Sequence, residues 1–175
     1  MKKYVILATI FGVVYLLLPF IISFADEQKI EGFRELKWGT SIEEAQKIYP
    51  DLIFNENRKI DQDKRFYRKM EDKKIGDVVV DDIEYVFKGD RFFMVLAKIS
   101  GKNSLGNFEP LKSSIESKYG QPIEFTKERI SGLPGFERKA TWILGESKIT
   151  LVLFEGFLHL SLFIENIKPS GKLGF

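Results

Sequence analysis

Between Ala140 and Ile164, apolar and polar residues alternate in three short runs separated by Gly145-Glu146 and Glu155-Gly156. A period of two marks a half-buried strand, and a glycine-bearing pair between two such runs predicts a tight hairpin. With two-residue turns at both places, the predicted register sets Trp142, Ile149 and Leu162 in one row. Ala140, Leu151 and Leu160 make the next row, then Arg138, Leu153 and Leu158. The opposite face receives Ile143, Lys148, Phe163, Thr141, Thr150, Ser161, Lys139, Val152, His159, Phe154 and Phe157. One face is oily and the other mixed, which predicts an antiparallel meander covered on one side by helices.

The same alternation recurs from Ile83 to Ile99 around Gly89-Asp90. It predicts Phe87 opposite Phe92, Tyr85 opposite Met94 and Ile83 opposite Leu96 on one face. Lys88 with Arg91, Val86 with Phe93 and Glu84 with Val95 fall on the other, with Asp81 opposite Lys98 at the open end. Upstream, the pattern changes to helical spacing. Thr40-Ser41-Ile42-Glu43 reads as a capping box in which the Thr40 hydroxyl and the Glu43 carboxylate satisfy each other's backbone N–H groups. Ile42, Ala45, Ile48 and Tyr49 follow on one face, and Pro50 ends the helix. The polar stretch from Asp51 to Lys64 reads as a loop before a weak strand at Arg65 to Met70. A second helix is predicted to start at Asn107 as N-cap, with Pro110 in its first turn, and to bury Phe108, Leu111, Ile115 and Tyr119. Gly120 and Pro122 stop it. The fold expected is α+β, an antiparallel sheet with two short helices packed on one face, built as two helix-then-meander units over about 30-100 and 107-165.

The N-terminus follows different rules. Lys2 and Lys3 precede an unbroken apolar run at 4-24, and Ser23 and Ala25 fit the −3 and −1 positions of a signal peptidase site before Asp26. Residues 1-25 are therefore expected to be a signal peptide cleaved between Ala25 and Asp26. The alternative is an anchor, because the run is long enough to cross a bilayer uncleaved. Residues 26-168 form the expected α+β domain and 169-175 a flexible tail. The expected location is periplasmic or secreted, or inner-membrane anchored with the domain outside the cytoplasm.

The formal charge of +2 falls to zero without Lys2 and Lys3. A neutral chain with interleaved signs lacks the basic surplus that phosphate binding needs, so no nucleic-acid partner is expected. Absence of cysteine excludes disulfides, thiolate metal sites and a cysteine nucleophile. Asp61, Asp63, Asp77, Asp81, Asp82 and Glu84 do not follow the offsets of a calcium loop, and no metal is expected. The sole histidine, His159, lies on the mixed face two residues before Ser161, too far along a flat strand for a direct hydrogen bond, so no catalytic residue is assigned. No cofactor is expected, because the only glycine-rich stretch, Gly132 to Gly135, lacks the lysine and following helix of a phosphate loop. The candidate binding residues are Phe93, Lys139, Phe154, Phe157, His159 and Phe163, flanked by Lys148 and Arg91. Together they form an aromatic and basic surface suited to another envelope protein. The alternatives are a small hydrolase with an unrecognised carboxylate site and a carrier of a small apolar ligand held between sheet and helices.

Trp38-Gly39-Thr40-Ser41, Tyr85-Val86-Phe87, Lys118-Tyr119-Gly120-Gln121-Pro122 and Trp142 together resemble the pattern of a group of uncharacterised exported bacterial proteins. More distantly, a helix ending in Gly-x-Pro before a meander is similar to the units of small outer-membrane assembly lipoproteins and β-lactamase inhibitory proteins. That likeness implies binding or scaffolding rather than catalysis. Those lipoproteins carry an N-terminal cysteine and this chain has none, so a lipid tether is not implied.

Overall fold

The computed structural model of the chain describes residues 29–56 and 63–167. The predicted cleavage site at Ala25 and Asp26, the apolar run and the expected tail lie outside the described residues. A small hairpin, β1 (Gly32–Phe33) and β2 (Leu36–Lys37), leads into α1 (Ile42–Ile48). Next come β3 (Leu52–Phe54), β4 (Asp63–Arg68), the short pair β5 (Lys74–Ile75) and β6 (Val78–Val79), then β7 (Asp82–Lys88) and β8 (Arg91–Ser100). After α2 (Asn103–Tyr119) the chain runs through β9 (Glu124–Arg129), β10 (Phe136–Leu144), β11 (Ser147–Phe154) and β12 (His159–Asn166). The main sheet is antiparallel with eight strands in the order β3-β4-β7-β8-β12-β11-β10-β9. Each set of four strands runs outward from a shared seam where β8 meets β12.

The expected α+β class, with both helices on one face, is the observed one. A single row of residues crosses the helix side from edge strand to penultimate strand: Phe54, Phe66, Tyr85, Val95, Ile164, Ile149, Trp142. From α2, Phe108, Leu111 and Ile115 are buried in the same core as Trp142, Ile149, Leu151 and Leu162. Each such side chain contributes roughly 1.5–3 kcal/mol by leaving water. The indole N–H of Trp142 donates to the carbonyl of Gly120 at 2.9 Å, tying the helix C-cap to β10. Gly120 sits at φ 83, a conformation that favours glycine. On the other flank Ala45 and Tyr49 bring α1 into that core, with the Tyr49 ring 6.0 Å from Tyr85. The lead-in closes the end of the helix side, where Trp38 Nε1 donates to the Ile30 carbonyl and to Ser147 Oγ, each at 2.9 Å.

Several expectations shift by one or two residues, each for a physical reason. The β10–β11 register is as predicted, but β11–β12 slides by two: Ile149 faces Ile164, Leu151 faces Leu162 and Leu153 faces Leu160. Glu155–Phe157 forms a 3-10 turn closed by Leu158 at φ 49, so the connection takes four residues instead of two. A slide by two preserves faces, so Trp142, Ile149 and Leu162 still share the buried side. In β7–β8 a bulge at Phe93 shifts the register by one, setting Tyr85 opposite Val95 and Ile83 opposite Ala97. A slide by one exchanges faces: Val95, Ala97 and Ile99 enter the core in place of the expected Met94 and Leu96. Asp82, not Asp81, then lies opposite Lys98.

The helix starts also move. Ser41, not Thr40, caps α1, and its box partner is Glu44, not Glu43. Gly39 at φ 83 makes the bend, and Thr40 is used in the ladder, its carbonyl accepting from Phe92 N–H at 2.9 Å. Helix α2 begins at Asn103, one turn before the expected Asn107, so Pro110 lies inside it. The expected loop after Pro50 contains β3, and the strand expected at 65-70 is β4 at Asp63–Arg68. The edge strand β9 and the pair β5–β6 carry no sequence signal strong enough to have been predicted.

Candidate functional site

The side of the sheet opposite the helices is built from four cross-strand rows. Nearest the β11–β12 turn, Ser100, His159, Phe154 and, on β10, Glu137 lie side by side. The next row runs Asp82, Lys98, Ser161, Val152, Lys139, Thr126, and the third runs Glu84, Leu96, Phe163, Thr150, Thr141, Glu124. The last holds Val86, Met94, Glu165, Lys148 and Ile143. His159, Phe154, Lys139 and Phe163 are thus brought onto one patch, each half-buried. Phe157 joins them from the turn, 61% exposed, its ring centroid 6.5 Å from that of Phe154 in an edge-on arrangement. Phe93 is the extra residue of the β8 bulge, beyond Met94, about 10 Å along the strand from the Phe163 row and roughly 20 Å from the His159 row at about 3.3 Å per residue.

The expected basic character is reduced by pairing of two of its three cations. Lys139 faces Glu124 at 3.6 Å, Lys148 faces Glu165 at 2.6 Å, and Arg91 donates to the carbonyl of Gly39 at 3.1 Å. Centrally, the fully buried Glu84 carboxylate is gripped from both sides, by Arg65 at 2.9 Å and Lys98 at 3.1 Å. The sequence carries a trace of that clamp: in Ile-Glu-Tyr-Val-Phe the carboxylate stands inside a run of otherwise apolar and aromatic side chains. A buried charge needs partners, and here they come diagonally from the two adjacent strands, Arg65 opposite Val86 and Lys98 opposite Asp82. With Lys139 and Lys148 paired to carboxylates, the aromatic group Phe154, Phe157 and Phe163 and the imidazole give the patch its character. Beside Phe163, Thr150 is 9% exposed and its hydroxyl has no hydrogen-bond partner among the described residues.

Ser161 and His159 correct one spacing argument. Ser161 Oγ lies 2.9 Å from His159 Nε2, a direct hydrogen bond along one face of β12 that the flat-strand spacing does not predict. Burial, reinforced by the positive charge of Lys98, holds the imidazole below its ordinary pKa, with Asp81 opposing. The ring is neutral at pH 7. Two groups that a nucleophilic site would use are already engaged. The Asp81 carboxylate accepts from Ser100 N–H at 2.6 Å, and β12 is hydrogen-bonded on both edges, to β8 and β11, so its backbone offers no free N–H pair for an oxyanion.

Among the described residues no group of three or more acidic or histidine side chains is gathered for a metal. Asp63 pairs in register with Lys88, and Glu84 is committed to its clamp, while Asp61 lies outside the described residues. Two clefts border the lead-in. One of about 510 Å³ is lined by Lys29, Glu31, Arg34, Lys37 and Lys118 with Ile30, Leu36 and Tyr119. The other, about 790 Å³, lies against Trp38, Gly145, Glu146 and Asn166. Charged walls of this kind do not suit a small apolar ligand. No helix among the described residues is long and apolar enough to cross a membrane.

The fold defines a class, an antiparallel sheet with both described helices on one side and neither on the other. No protein-family model matches the chain, and neither the curated proteins nor the solved structures yield a match.

Proposed function

We propose that this is an exported, non-enzymatic binding or scaffolding domain of the bacterial envelope, which takes hold of another envelope protein through the helix-free side of its sheet. The observation that carries this reading is the group Phe154, Phe157, Phe163 and His159. It places an aromatic pair at the open end of a face on which neither described helix packs, with Phe157 61% exposed. Aromatic anchors in such settings dominate binding energy. The signal-like N-terminus supports export, and the likeness to tandem-unit binding proteins supports the same class by analogy.

The test replaces both rings, Phe154→Ser with Phe157→Ser, and compares the proteins recovered with each form from its own envelope fraction. Loss of a recovered protein, with unfolding midpoint unchanged, supports the reading; identical recovery from both forms overturns it. A hydrolase reading has the Ser161–His159 contact in its favour. It is separated by a fluorophosphonate probe, which would label Ser161 in a working nucleophilic site and leaves the protein unlabelled under the binding reading.

A further inference from the structure

The eight-stranded sheet ends differently at its two edges. On one side β3 is three residues long, starting two residues after Pro50, too short to template another strand. On the other, β9 is six residues long, with every side chain exposed except the half-buried Thr126. Apolar exposure gathers there too: Ile123 is 68% exposed, Phe125 49% and Phe136 39%.

The charges on β9 are sorted by face. Register with β10 sets Phe125, Lys127 and Arg129 beside Ala140, Arg138 and Phe136 on the helix side. Glu124, Thr126 and Glu128 lie beside Thr141, Lys139 and Glu137 on the other. One side of the edge is therefore cationic and apolar, and the other acidic. Lys127 reinforces the division by standing 5.0 Å over the Phe136 ring.

This sorting disfavours a second copy. Antiparallel edge strands related by a two-fold axis keep their faces, so side chains meet others of the same face. Centred on Thr126, such pairing sets Glu124 against Glu128 of the other copy twice. Centred on Lys127, it sets Lys127 against itself. Those are the registers with the greatest overlap, and like charges directly opposite are destabilising. A strand of alternating sign meets no such penalty, because its acids can lie beside Lys127 and Arg129 while its bases lie beside Glu124 and Glu128.

We propose that the β9 edge is a docking site for an extended segment of another protein in which acidic and basic residues alternate, added antiparallel as a ninth strand. Main-chain hydrogen bonds from every second residue of β9 hold the segment, and the sorted charges set its register. This edge shares no residue with the aromatic patch, so either surface can fail alone.

The test uses the isotopically labelled full chain in mild detergent with two short synthetic peptides of equal composition. One alternates lysine and glutamate; the other carries them in two blocks. At low salt the alternating peptide binds about tenfold more tightly. It shifts the amide resonances of residues 124–129 and slows hydrogen exchange at alternate positions there. The double variant Lys127→Glu with Arg129→Glu, whose exposed side chains leave the core intact, loses that preference. Equal affinity for both peptides overturns the proposal. So do shifts confined to residues 154–163, or peptide-free dimerisation that protects the same amides.

Discussion

The two halves of the sheet share a strand count and a central seam, yet they are closed in different ways. Over the second half lies a seventeen-residue helix whose Phe108, Leu111 and Ile115 enter the core, with Trp142 bonded to its C-cap. The first half has a seven-residue helix that buries Ala45. What it lacks in helix it replaces with rings: Phe66, Tyr85, Phe87 and Phe92 form a chain of aromatic contacts at 5.2 to 6.0 Å. A polar clamp supplements them. Glu71 accepts from the Tyr85 hydroxyl at 2.9 Å and pairs with Arg34, which also donates to the carbonyls of Asp72 and Lys74. Burial pushes the Tyr85 pKa up to about 12, so the hydroxyl remains a donor. A short helix is thus compensated by side-chain chemistry, which shows that the same sheet can be roofed by backbone or by side chains.

The hardest blow to this comparison is a deletion under the long helix. Phe108→Ala removes a fully buried ring and is expected to cost about 3–5 kcal/mol in denaturant unfolding. Because one continuous core spans both halves, probes of either half should report the same midpoint. Two separate transitions would mean that the halves are independent units.

Next in size is the carboxylate clamped between two cations within the first half. Glu84→Ala leaves Arg65 and Lys98 facing each other without their counter-charge. The loss should be about 3 kcal/mol, at the lower end for a broken buried pair, because both cations keep some access to water. Replacing all three with apolar residues of similar volume should restore most of it. A triple variant no more stable than Glu84→Ala would show that the clamp carries shape, not charge.

Capping separates the helices on a smaller scale. Ser41→Ala breaks the box that starts α1 and should cost about 1 kcal/mol. Lys102 precedes α2 with helical dihedral angles and no capping hydrogen bond, so Lys102→Ala should change the midpoint by less than about 0.5 kcal/mol. Equal effects would remove the distinction drawn between a capped short helix and a packed long one.

What could be read from the sequence follows the reach of each interaction. Alternation revealed the strands and their faces because period two is local, and the β10–β11 register followed from a turn with Gly145 at φ 59. The β11–β12 slide and the Phe93 bulge stayed hidden, since a four-residue turn and an unpaired residue are decided by how neighbouring strands twist. Strand β9 hid because an edge strand with both faces exposed has no alternation to display. The patch was legible in Phe154, Phe157, His159 and Phe163, which lie on adjacent strands and their turn. Pairing of its lysines was not, because Lys139 meets Glu124 from fifteen residues away in sequence.

The gentlest probe of the contrast between the helical and helix-free sides is pH. His159 is held below its ordinary pKa by burial and by Lys98. Between that lowered value and about 6.5 the unfolded chain binds more protons than the folded one. Its contribution is therefore fully present above about pH 6.5 and is lost as pH falls through the folded value. Protonation also fixes the direction of the Ser161 contact, since a charged ring can only donate from Nε2 to the hydroxyl. Wild type should lose stability on acidification from pH 7 to 5 more steeply than His159→Gln, and the ring resonances of His159 should titrate below 6.5. A midpoint at or above 6.5, with parallel stability curves for the two forms, would mean that the imidazole stands in water and that the helix-free side leaves His159 as open as the loops.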